Sequence, residues 1–189
     1  MPMSKKTVIV TGGNSGIGKA SVIALSKMGA HVVIACRETA YRNEVPVAEL
    51  INDIEASIPG AQLSFIPLDL ACLASVRRFA EQFTTLHDQL DVLLNNAGVL
   101  SMEKKKTRDG FELTMGTNHL GPFLLTNLLL GHLVNTPRSR IVNVASKAHS
   151  KGRLVFAKNT IVTRWPYTCL LYTSPSPRDA TLSRMPSSA

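Results

Sequence analysis

Short apolar runs rich in β-branched residues recur along the chain as far as residue 145. They cover residues 7–10, 31–35, 63–66, 91–94 and 140–145. Because polar residues do not alternate with apolar ones inside these runs, they are typical of strands buried on both faces of a parallel sheet. The pattern therefore predicts five parallel strands.

Apolar residues recur at helical spacing between the runs. This spacing predicts helices over residues 15–28, about 45–57, 74–86 and, as one long leucine-rich segment, 110–133. Gly29 and the Pro-Gly pair at 59–60 supply the expected helix stops. Strands that alternate with helices predict an α/β fold, a doubly wound parallel sheet of the Rossmann type.

Composition narrows the class of protein. The net charge of the 189 residues is +8, yet the basic residues are scattered, the only sharp run is Lys-Lys-Lys at 104–106, and aromatic residues make up 5%. A basic surface with stacking aromatics is therefore not evident, and we expect no nucleic-acid partner. We interpret the lysine run as a solvated loop. The phosphates of a dinucleotide would account for part of the positive charge.

Cysteine usage and hydropathy indicate the compartment. Cys36, Cys72 and Cys169 lack metal-ligand spacing, so we expect reduced thiols and no metal site. No apolar run approaches the roughly 20 residues of a membrane-spanning helix. These features predict a cytoplasmic protein with no membrane span in this chain, and they leave open an anchor upstream of Met1 and a membrane-associated relative.

The first predicted strand runs directly into a glycine-rich turn, Thr-Gly-Gly-Asn-Ser-Gly-Ile-Gly at 11–18, and then into a helix. Glycines at 12, 16 and 18 let the backbone approach a pyrophosphate, and a helix N-terminus presents free N–H groups to it. A glycine-rich turn alone is weak evidence, but a strand before it and a helix after it are the context that dinucleotide binding demands. The turn therefore predicts a dinucleotide site.

The second predicted strand ends in Ala-Cys-Arg, which bears on the choice of cofactor. Cys36 and Arg37 offer no carboxylate for a ribose 2′-hydroxyl, whereas Arg37 offers a guanidinium for a 2′-phosphate. This favours NADP over NAD, with Arg42 as a weaker second contact. The alternative is that Arg37 is an ordinary surface arginine.

Polar residues also follow the third and fourth predicted strands. Asp69, in Leu-Asp-Leu, is placed either to contact an adenine amino group or to cap the next helix. Asn-Asn-Ala-Gly at 95–98 combines small residues, against which a cofactor could lie, with asparagines that hydrogen-bond loops. By itself the second motif is a turn.

Taken together, these motifs, with DGFELTMGTNHLG and RIVNVASKAH further along, resemble the short-chain dehydrogenase/reductase family over residues 5–157. The sequences of the last two motifs are most similar to those of the NADP-preferring retinol dehydrogenase branch and its WW-domain oxidoreductase relatives. The resemblance implies hydride transfer between NADP(H) and a hydrophobic alcohol or carbonyl compound, and it leaves a homo-oligomer open. The expected cofactor contacts are Gly12, Asn14, Ser15, Gly16, Ile17, Gly18, Arg37, Asp69, Leu70, Asn96, Ala97 and Gly98.

The same resemblance implies a catalytic Asn, Ser, Tyr and Lys. Asn118 matches the asparagine that interrupts its helix and holds a relay water, and Ser146 matches the serine that hydrogen-bonds the substrate oxygen. No tyrosine of this chain has a lysine four residues later, so the proton-transfer pair is absent. We therefore expect a catalytically incomplete chain, with a noncatalytic NADP-binding regulatory protein as the alternative function.

Pro122 stands where this branch usually has histidine. Because proline has no N–H, the carbonyl of Asn118, four residues earlier, loses its helical partner. We expect Pro122 to enlarge the local break and to leave that carbonyl free for the relay water.

The last part of the chain reads differently. CLLYTS, PSPRD and SRMPSSA, in this order, can be reverse-translated to segments of a transposase-type sequencing adapter, so we expect residues 169–189 to be an artefactual, disordered tail. Residues 159–168 resemble neither adapter nor family and are of uncertain origin. The sequence thus predicts a C-terminally truncated Rossmann domain over residues 1–158, with its fifth strand as an unprotected sheet edge.

Overall fold

The computed structural model describes residues 2–38, 46–101, 103, 105–146, 155–157 and 160–162. The strands are β1 (Thr7–Thr11), β2 (His31–Cys36), β3 (Gln62–Pro67), β4 (Val92–Asn95), β5 (Arg140–Asn143), β6 (Val155–Ala157) and β7 (Thr160–Val162). The first five are the predicted strands, with boundaries that differ by one or two residues. The Rossmann-type fold is therefore confirmed.

The main sheet has five strands in the order β3-β2-β1-β4-β5. β1 pairs in parallel with β2, with Ile9 opposite Val33, and with β4, with Ile9 opposite Leu93. Because the chain runs outward from β1 to β3 and then crosses to β4, the order reverses beside β1. In open α/β sheets, ligands bind at the carboxyl ends of the strands at such a switch point.

Both faces of the sheet are buried under helices. Ile9 and Val33 pack on one face with residues of α3 (Leu73–Leu86) and α5 (Gly121–Leu128), and Val8, Val10 and Ile34 pack on the other with residues of α1 (Gly16–Lys27) and α2 (Val47–Ser57). Each fully buried aliphatic side chain of this kind contributes about 1.5–3 kcal/mol. This two-sided burial explains why the strands contain no polar alternation.

The predicted helical segment over residues 110–133 is present, but it is not one regular helix, so the prediction was wrong in its continuity and not in its extent. The segment contains α4 (Leu113–Met115), a π-helical turn (Gly116–Leu120), α5 and α6 (Leu130–Asn135). The Glu112 carboxylate starts α4, because it accepts hydrogen bonds from the N–H groups of Thr114 at 2.9 Å and Met115 at 2.7 Å. The first three predicted helices are confirmed within about two residues at each end.

Asp91 ties the amino ends of the central strands together. Its side chain is 7% exposed, and its Oδ1 pairs with Lys6 Nζ at 2.7 Å while its Oδ2 accepts from the Thr7 N–H at 2.9 Å. The Asp91 carbonyl accepts from the Arg140 N–H at 2.8 Å. These contacts stabilise the edge of the sheet opposite the ends where ligands bind.

The chain divides into two compact units, Met1–Val142 and Asn143–Ala189. β5 is the last strand in the sheet order, and its residues are exposed, as predicted for a sheet edge. In the second unit, β6 and β7 pair antiparallel, with Val155 opposite Val162. The predicted boundaries after residues 158 and 168 stay predictions, and the segment 169–189 lies outside the described residues.

Candidate functional site

The glycine-rich turn packs against the loop after β4 at distances that only glycines allow. Gly12 has a φ of +66°, and a Cβ built on it would lie 3.0 Å from Ala97 Cα. A Cβ on Gly18 would overlap the Gly12 carbonyl oxygen and lie 2.6 Å from Asn96 Nδ2. These two glycines therefore let two loops meet at the carboxyl edge of the sheet.

The N-terminus of α1 opens onto this edge. The helix begins at Gly16, its N-cap residue Ser15 makes no side-chain capping bond, and no acidic residue lies in its first turn. Free N–H groups and the positive end of a helix dipole without a nearby carboxylate favour an anion at this position. Asn14, in the same turn, is buried, with 3% of its surface exposed.

Thr11 joins the turn to the loop after β4. Its Oγ1 accepts hydrogen bonds from the N–H groups of Asn96 at 2.9 Å and Ala97 at 3.0 Å, and it donates to the Leu94 carbonyl at 3.3 Å. Asn96 Nδ2 donates in return to the Thr11 carbonyl at 2.9 Å. Thr11 was not among the predicted site residues, although a hydroxyl residue between a buried strand and a glycine turn is a visible signal in the sequence.

Arg37 follows β2 and lines the same edge. Cys36, before it, is buried at 5% exposure, and Glu38, the next carboxylate along the chain, is exposed. Arg37 belongs to the cavity lining, whereas Glu38 does not. The guanidinium is therefore the charged group that the end of β2 brings to the site. Arg42 lies outside the described residues.

Asp69 does not cap the helix that follows it, so that alternative was wrong. Its Oδ1 accepts from the Ala71 N–H at 3.0 Å, and its own N–H donates to Ser75 Oγ at 3.0 Å. The N-cap of α3 is Cys72, without a side-chain bond, and the carboxylate of Asp109 accepts from the Leu73 N–H at 2.9 Å instead. The bonds of Asp69 hold the loop after β3 against the cavity.

Asn118 lies in the π-helical turn and also holds the loop after β4. Its Oδ1 accepts from the Val99 N–H at 2.8 Å, and its Nδ2 donates to the Val99 carbonyl at 2.9 Å. A Cβ built on Gly98 would lie 3.6 Å from Asn118 Oδ1. The amide thus fixes the conformation of the backbone after Asn-Asn-Ala-Gly.

The predicted break in this helix is present as a wider turn, in which the Gly121 N–H donates to the Gly116 carbonyl. Pro122 comes directly after the turn, as the second residue of α5. The helix does not end before Pro122. That the Asn118 carbonyl is free for a water stays a prediction.

A cavity of about 660 Å³ opens where these loops meet. Eleven of the predicted cofactor residues line it, namely Gly12, Asn14, Ser15, Gly16, Ile17, Arg37, Asp69, Leu70, Asn96, Ala97 and Gly98. Gly18 and Asn118 do not line it, and both act through the loops that they support. Ser146 follows β5 in the second unit, so its predicted contact with a substrate stays a prediction.

Eleven lining residues were not predicted as cofactor contacts, among them Lys105, Glu103 and Thr117. Lys105 and Glu103 form an ion pair of 2.8 Å at the cavity, and the hydrogen bond from Lys105, together with its charge, lowers the pKa of Glu103. The side chains of Lys105 and Lys106 are exposed, so the interpretation of a solvated loop is confirmed for these two residues. Thr117 lies next to Asn118 in the π-helical turn.

The sequence profile of the short chain dehydrogenase family matches residues 6–158. The chain belongs to this family. Retinol dehydrogenase 14 of Mus musculus is 46% identical over 160 residues, which are 82% of this chain and 48% of that protein. Retinol dehydrogenase 11 of Homo sapiens is 45% identical over 152 residues, which are 80% of this chain and 46% of that protein. The predicted resemblance to the retinol dehydrogenase branch is confirmed, and the chain spans about half the length of these relatives.

Solved structures agree with this assignment. An uncharacterized protein from Mycobacterium paratuberculosis is 37% identical, with a TM-score of 0.68 over 92% of this chain and 58% of that one. A metagenomic short-chain oxidoreductase in complex with NADP is 26% identical, with a TM-score of 0.64 over 79% of this chain and 66% of that one. The short-chain dehydrogenase fold thus carries a nicotinamide cofactor in a structural relative.

The cavity of this short-chain dehydrogenase fits a nicotinamide dinucleotide. Its volume is in the range of small-molecule sites, the helix N-terminus suits a pyrophosphate, and the Gly12 and Gly18 contacts keep side chains out of the approach. Among the described residues, no helix combines the length and apolar character that crossing a membrane requires.

Proposed function

We propose that the protein is an NADP(H)-dependent oxidoreductase that interconverts a hydrophobic alcohol and its carbonyl compound. The observation that carries this proposal is the cavity, in which a glycine turn, a helix N-terminus and Arg37 converge at the switch point of a Rossmann-type sheet. The class of substrate is suggested by the relatives named retinol dehydrogenases.

The preference for NADP rests on the residues after β2. Arg37 lines the cavity, and Glu38 is exposed and lies outside the lining. A 2′-phosphate can accept charge-assisted hydrogen bonds from a guanidinium, whereas a ribose 2′-hydroxyl is usually recognised by a carboxylate. The end of β2 therefore suits the phosphorylated cofactor better.

The roles of the remaining residues follow the family resemblance. When bound, the nicotinamide would supply or accept the hydride. Ser146 would hold the substrate oxygen by a hydrogen bond, and the backbone carbonyl of Asn118 would hold a water in the proton relay. The side-chain amide of Asn118 has a structural role apart from this relay, because both of its polar atoms form hydrogen bonds with the backbone of Val99.

We infer that this 189-residue chain binds the cofactor without turning over. No tyrosine in it is followed four residues later by a lysine, so the pair that would transfer the proton and lower the phenol pKa is absent. The same observation favours a second candidate, a noncatalytic NADP-binding regulatory protein, which needs the cavity and not the pair. The predicted cytoplasmic location and homo-oligomeric assembly stay predictions.

Cofactor affinity tests the first part of the proposal. Isothermal titration of the full chain with NADP⁺ and NAD⁺ is expected to show tighter binding of NADP⁺. Arg37→Gln should weaken NADP⁺ by about 10- to 100-fold and leave NAD⁺ nearly unchanged, since it removes charge-assisted bonds to the 2′-phosphate. Arg78→Gln, an exposed arginine of α3 outside the cavity, is the matched control. Equal affinities for both cofactors would count against the preference.

Turnover and the natural transcript test the second part. We expect no oxidation of NADPH by this chain with long-chain or retinoid aldehydes, and measurable turnover would refute the inferred incompleteness. Sequencing the 3′ end of the natural transcript should show a Tyr-x-x-x-Lys in frame in place of CLLYTSPSPRD if the oxidoreductase proposal is right. A natural message that ends near Thr168 without this pair would favour the regulatory protein.

A further inference from the structure

Four of the described residues that line the cavity carry a charge. Arg37 and Lys105 are cationic, and Asp69 and Glu103 are anionic. The proposed function already uses Arg37, and the carboxylate of Asp69 is bonded to the Ala71 N–H within the loop after β3. Lys105 is therefore a second cation at the cavity, and neither the motifs nor the family resemblance gives it a role.

The backbone of Lys105 is fixed at the start of a cross-bonded loop, residues 105–113, which we call the rim loop because both of its end residues line the cavity. The Lys105 carbonyl accepts from the Leu113 N–H at 2.9 Å, and the Thr107 N–H donates to the Phe111 carbonyl at 2.8 Å. The Phe111 N–H donates in turn to Thr107 Oγ1 at 3.2 Å. The side chain of Lys105 therefore extends from a defined point of the cavity wall.

The rim loop is bonded to the loop after β3, which is bonded to the end of β2. The Arg108 N–H donates to the Ala71 carbonyl at 3.3 Å, and the Leu68 N–H donates to the Cys36 carbonyl at 2.8 Å. Cys36 directly precedes Arg37. Backbone hydrogen bonds thus connect the segments that carry the two cations of the cavity, so that both can act on one ligand.

The ion pair between Lys105 and Glu103 can open at a small cost in free energy. Lys105 Nζ lies 2.8 Å from the Glu103 carboxylate, and the two side chains are 56% and 72% exposed. Ion pairs exposed to this extent contribute little to stability, because water and salt screen them. The ammonium group is therefore accessible to a ligand in the cavity, and a phosphate can compete with the carboxylate for its charge-assisted hydrogen bonds.

We propose that Lys105 binds a phosphate group of the dinucleotide in the cavity, and that Glu103 releases Lys105 when the cofactor enters. This inference rests on the proposed function and adds a second cationic contact to that of Arg37. Glu103 has the opposite effect, because its carboxylate holds Lys105 in the empty protein and repels the phosphates. The two residues should therefore change cofactor affinity in opposite directions.

The test is isothermal titration of the full chain with NADP⁺ and with NAD⁺. Lys105→Gln should weaken binding by about 5- to 10-fold, because it removes a charge-assisted hydrogen bond. Glu103→Gln should strengthen binding by about 2- to 5-fold, because it removes the competing carboxylate. Lys106→Gln is the matched control, since Lys106 is exposed and lies outside the cavity lining, and it should change the affinity by less than about twofold.

A double variant separates contact with a phosphate from simple neutralisation of Glu103. In the Glu103→Gln background, Lys105→Gln should still weaken binding by about 5- to 10-fold, and Lys105→Arg, which keeps the charge, should retain most of the affinity. No loss for Lys105→Gln in that background would overturn the proposal, because Lys105 would then act only by neutralising Glu103. The melting temperatures without ligand should stay near that of the wild type, since the ion pair is exposed.

The two cofactors identify the phosphate. A loss for NADP⁺ alone assigns Lys105 to the 2′-phosphate, and a loss for both cofactors assigns it to the pyrophosphate. Wild-type affinity of Lys105→Gln for both cofactors, or an equal loss in Lys106→Gln, would overturn the role of Lys105 alone. A wild-type chain that binds neither NADP⁺ nor NAD⁺ would instead refute the proposed function, and this inference with it.

Discussion

Asn118 and Val99 are joined by two hydrogen bonds, one in each direction, between the side-chain amide and the backbone. This pair links the π-helical turn to the loop after β4, although the two residues are 19 positions apart in the chain. A residue that the family resemblance predicts to be catalytic therefore also holds the backbone of the cavity wall.

The amide of Asn118 should be required for stability as well as for any relay. Asn118→Asp replaces the donor by a second acceptor, which would face the Val99 carbonyl, so we expect it to lower the free energy of unfolding by about 1–3 kcal/mol. Urea denaturation followed by circular dichroism measures this. Asn127→Asp is the control, since Asn127 is exposed and its side chain donates to the Phe123 carbonyl of its own helix at 2.7 Å. A loss as large in the control would contradict the explanation.

Thr11 should be sensitive to loss of its hydroxyl and tolerant of loss of its methyl group. Thr11→Val leaves the N–H groups of Asn96 and Ala97 without their acceptor in a fully buried position, and we expect a loss of about 2–4 kcal/mol in unfolding free energy. Thr11→Ser keeps the acceptor and should cost about 1 kcal/mol. Guanidinium denaturation of both variants measures the difference, and equal losses would show that the hydroxyl is not what matters.

Gly18 should not tolerate any side chain. Gly18→Ala places a Cβ onto the Gly12 carbonyl and 2.6 Å from Asn96 Nδ2, so we expect more than about 2 kcal/mol of destabilisation, or a turn displaced enough to abolish NADP⁺ binding. Gly131→Ala, in α6 with open space around the new Cβ, should instead stabilise by about 0.5–1 kcal/mol. Thermal unfolding with and without NADP⁺ tests both, and a Gly18→Ala variant with wild-type stability and affinity would refute the close approach.

The histidines at the amino end of the sheet should make stability depend on pH. The rings of His31 and His87 lie 5.1 Å apart, and His31 Nε2 lies 3.1 Å from Ser64 Oγ. Burial lowers the pKa of His31, and burial together with the charge of His31 lowers the pKa of His87, against a smaller opposing effect of Asp88. The ring of His87 also packs on Phe83, with ring centroids 4.7 Å apart, and the ring of Phe83 lies 6.1 Å from that of His132.

Because both pKa values are lower in the folded state, the unfolded chain binds protons more readily below the ordinary value of 6.5. The contribution of these histidines is therefore complete above about pH 6.5 and falls as the pH decreases below it. Melting temperatures between pH 7.5 and 5.5 should fall more steeply for the wild type than for a His31→Asn, His87→Gln double variant. Parallel profiles for the two proteins would contradict this expectation.

Most of the sheet could be predicted because its signal is local. β-Branched runs such as Thr7–Thr11 and His31–Cys36 carry apolar residues on both sides, as burial between two helical layers demands, and the glycine turn stands directly between β1 and α1. The prediction of one regular helix at 110–133 was wrong, because the leucines of this segment mark buried positions and do not report the winding of the backbone. A π-helical turn is a departure from regular spacing that an apolar pattern is too coarse to reveal.

The sequence by itself determined the strands, the dinucleotide turn and the family, since each depends on residues adjacent in the chain or on their order. The tertiary structure alone decided which polar atoms meet: Thr11 with Asn96, Asn118 with Val99, and Asp109 with the start of α3 in place of Asp69. These pairs lie 19 to 85 positions apart. Their hydrogen bonds depend on distances of about 3 Å that arise only when the sheet and helices have packed.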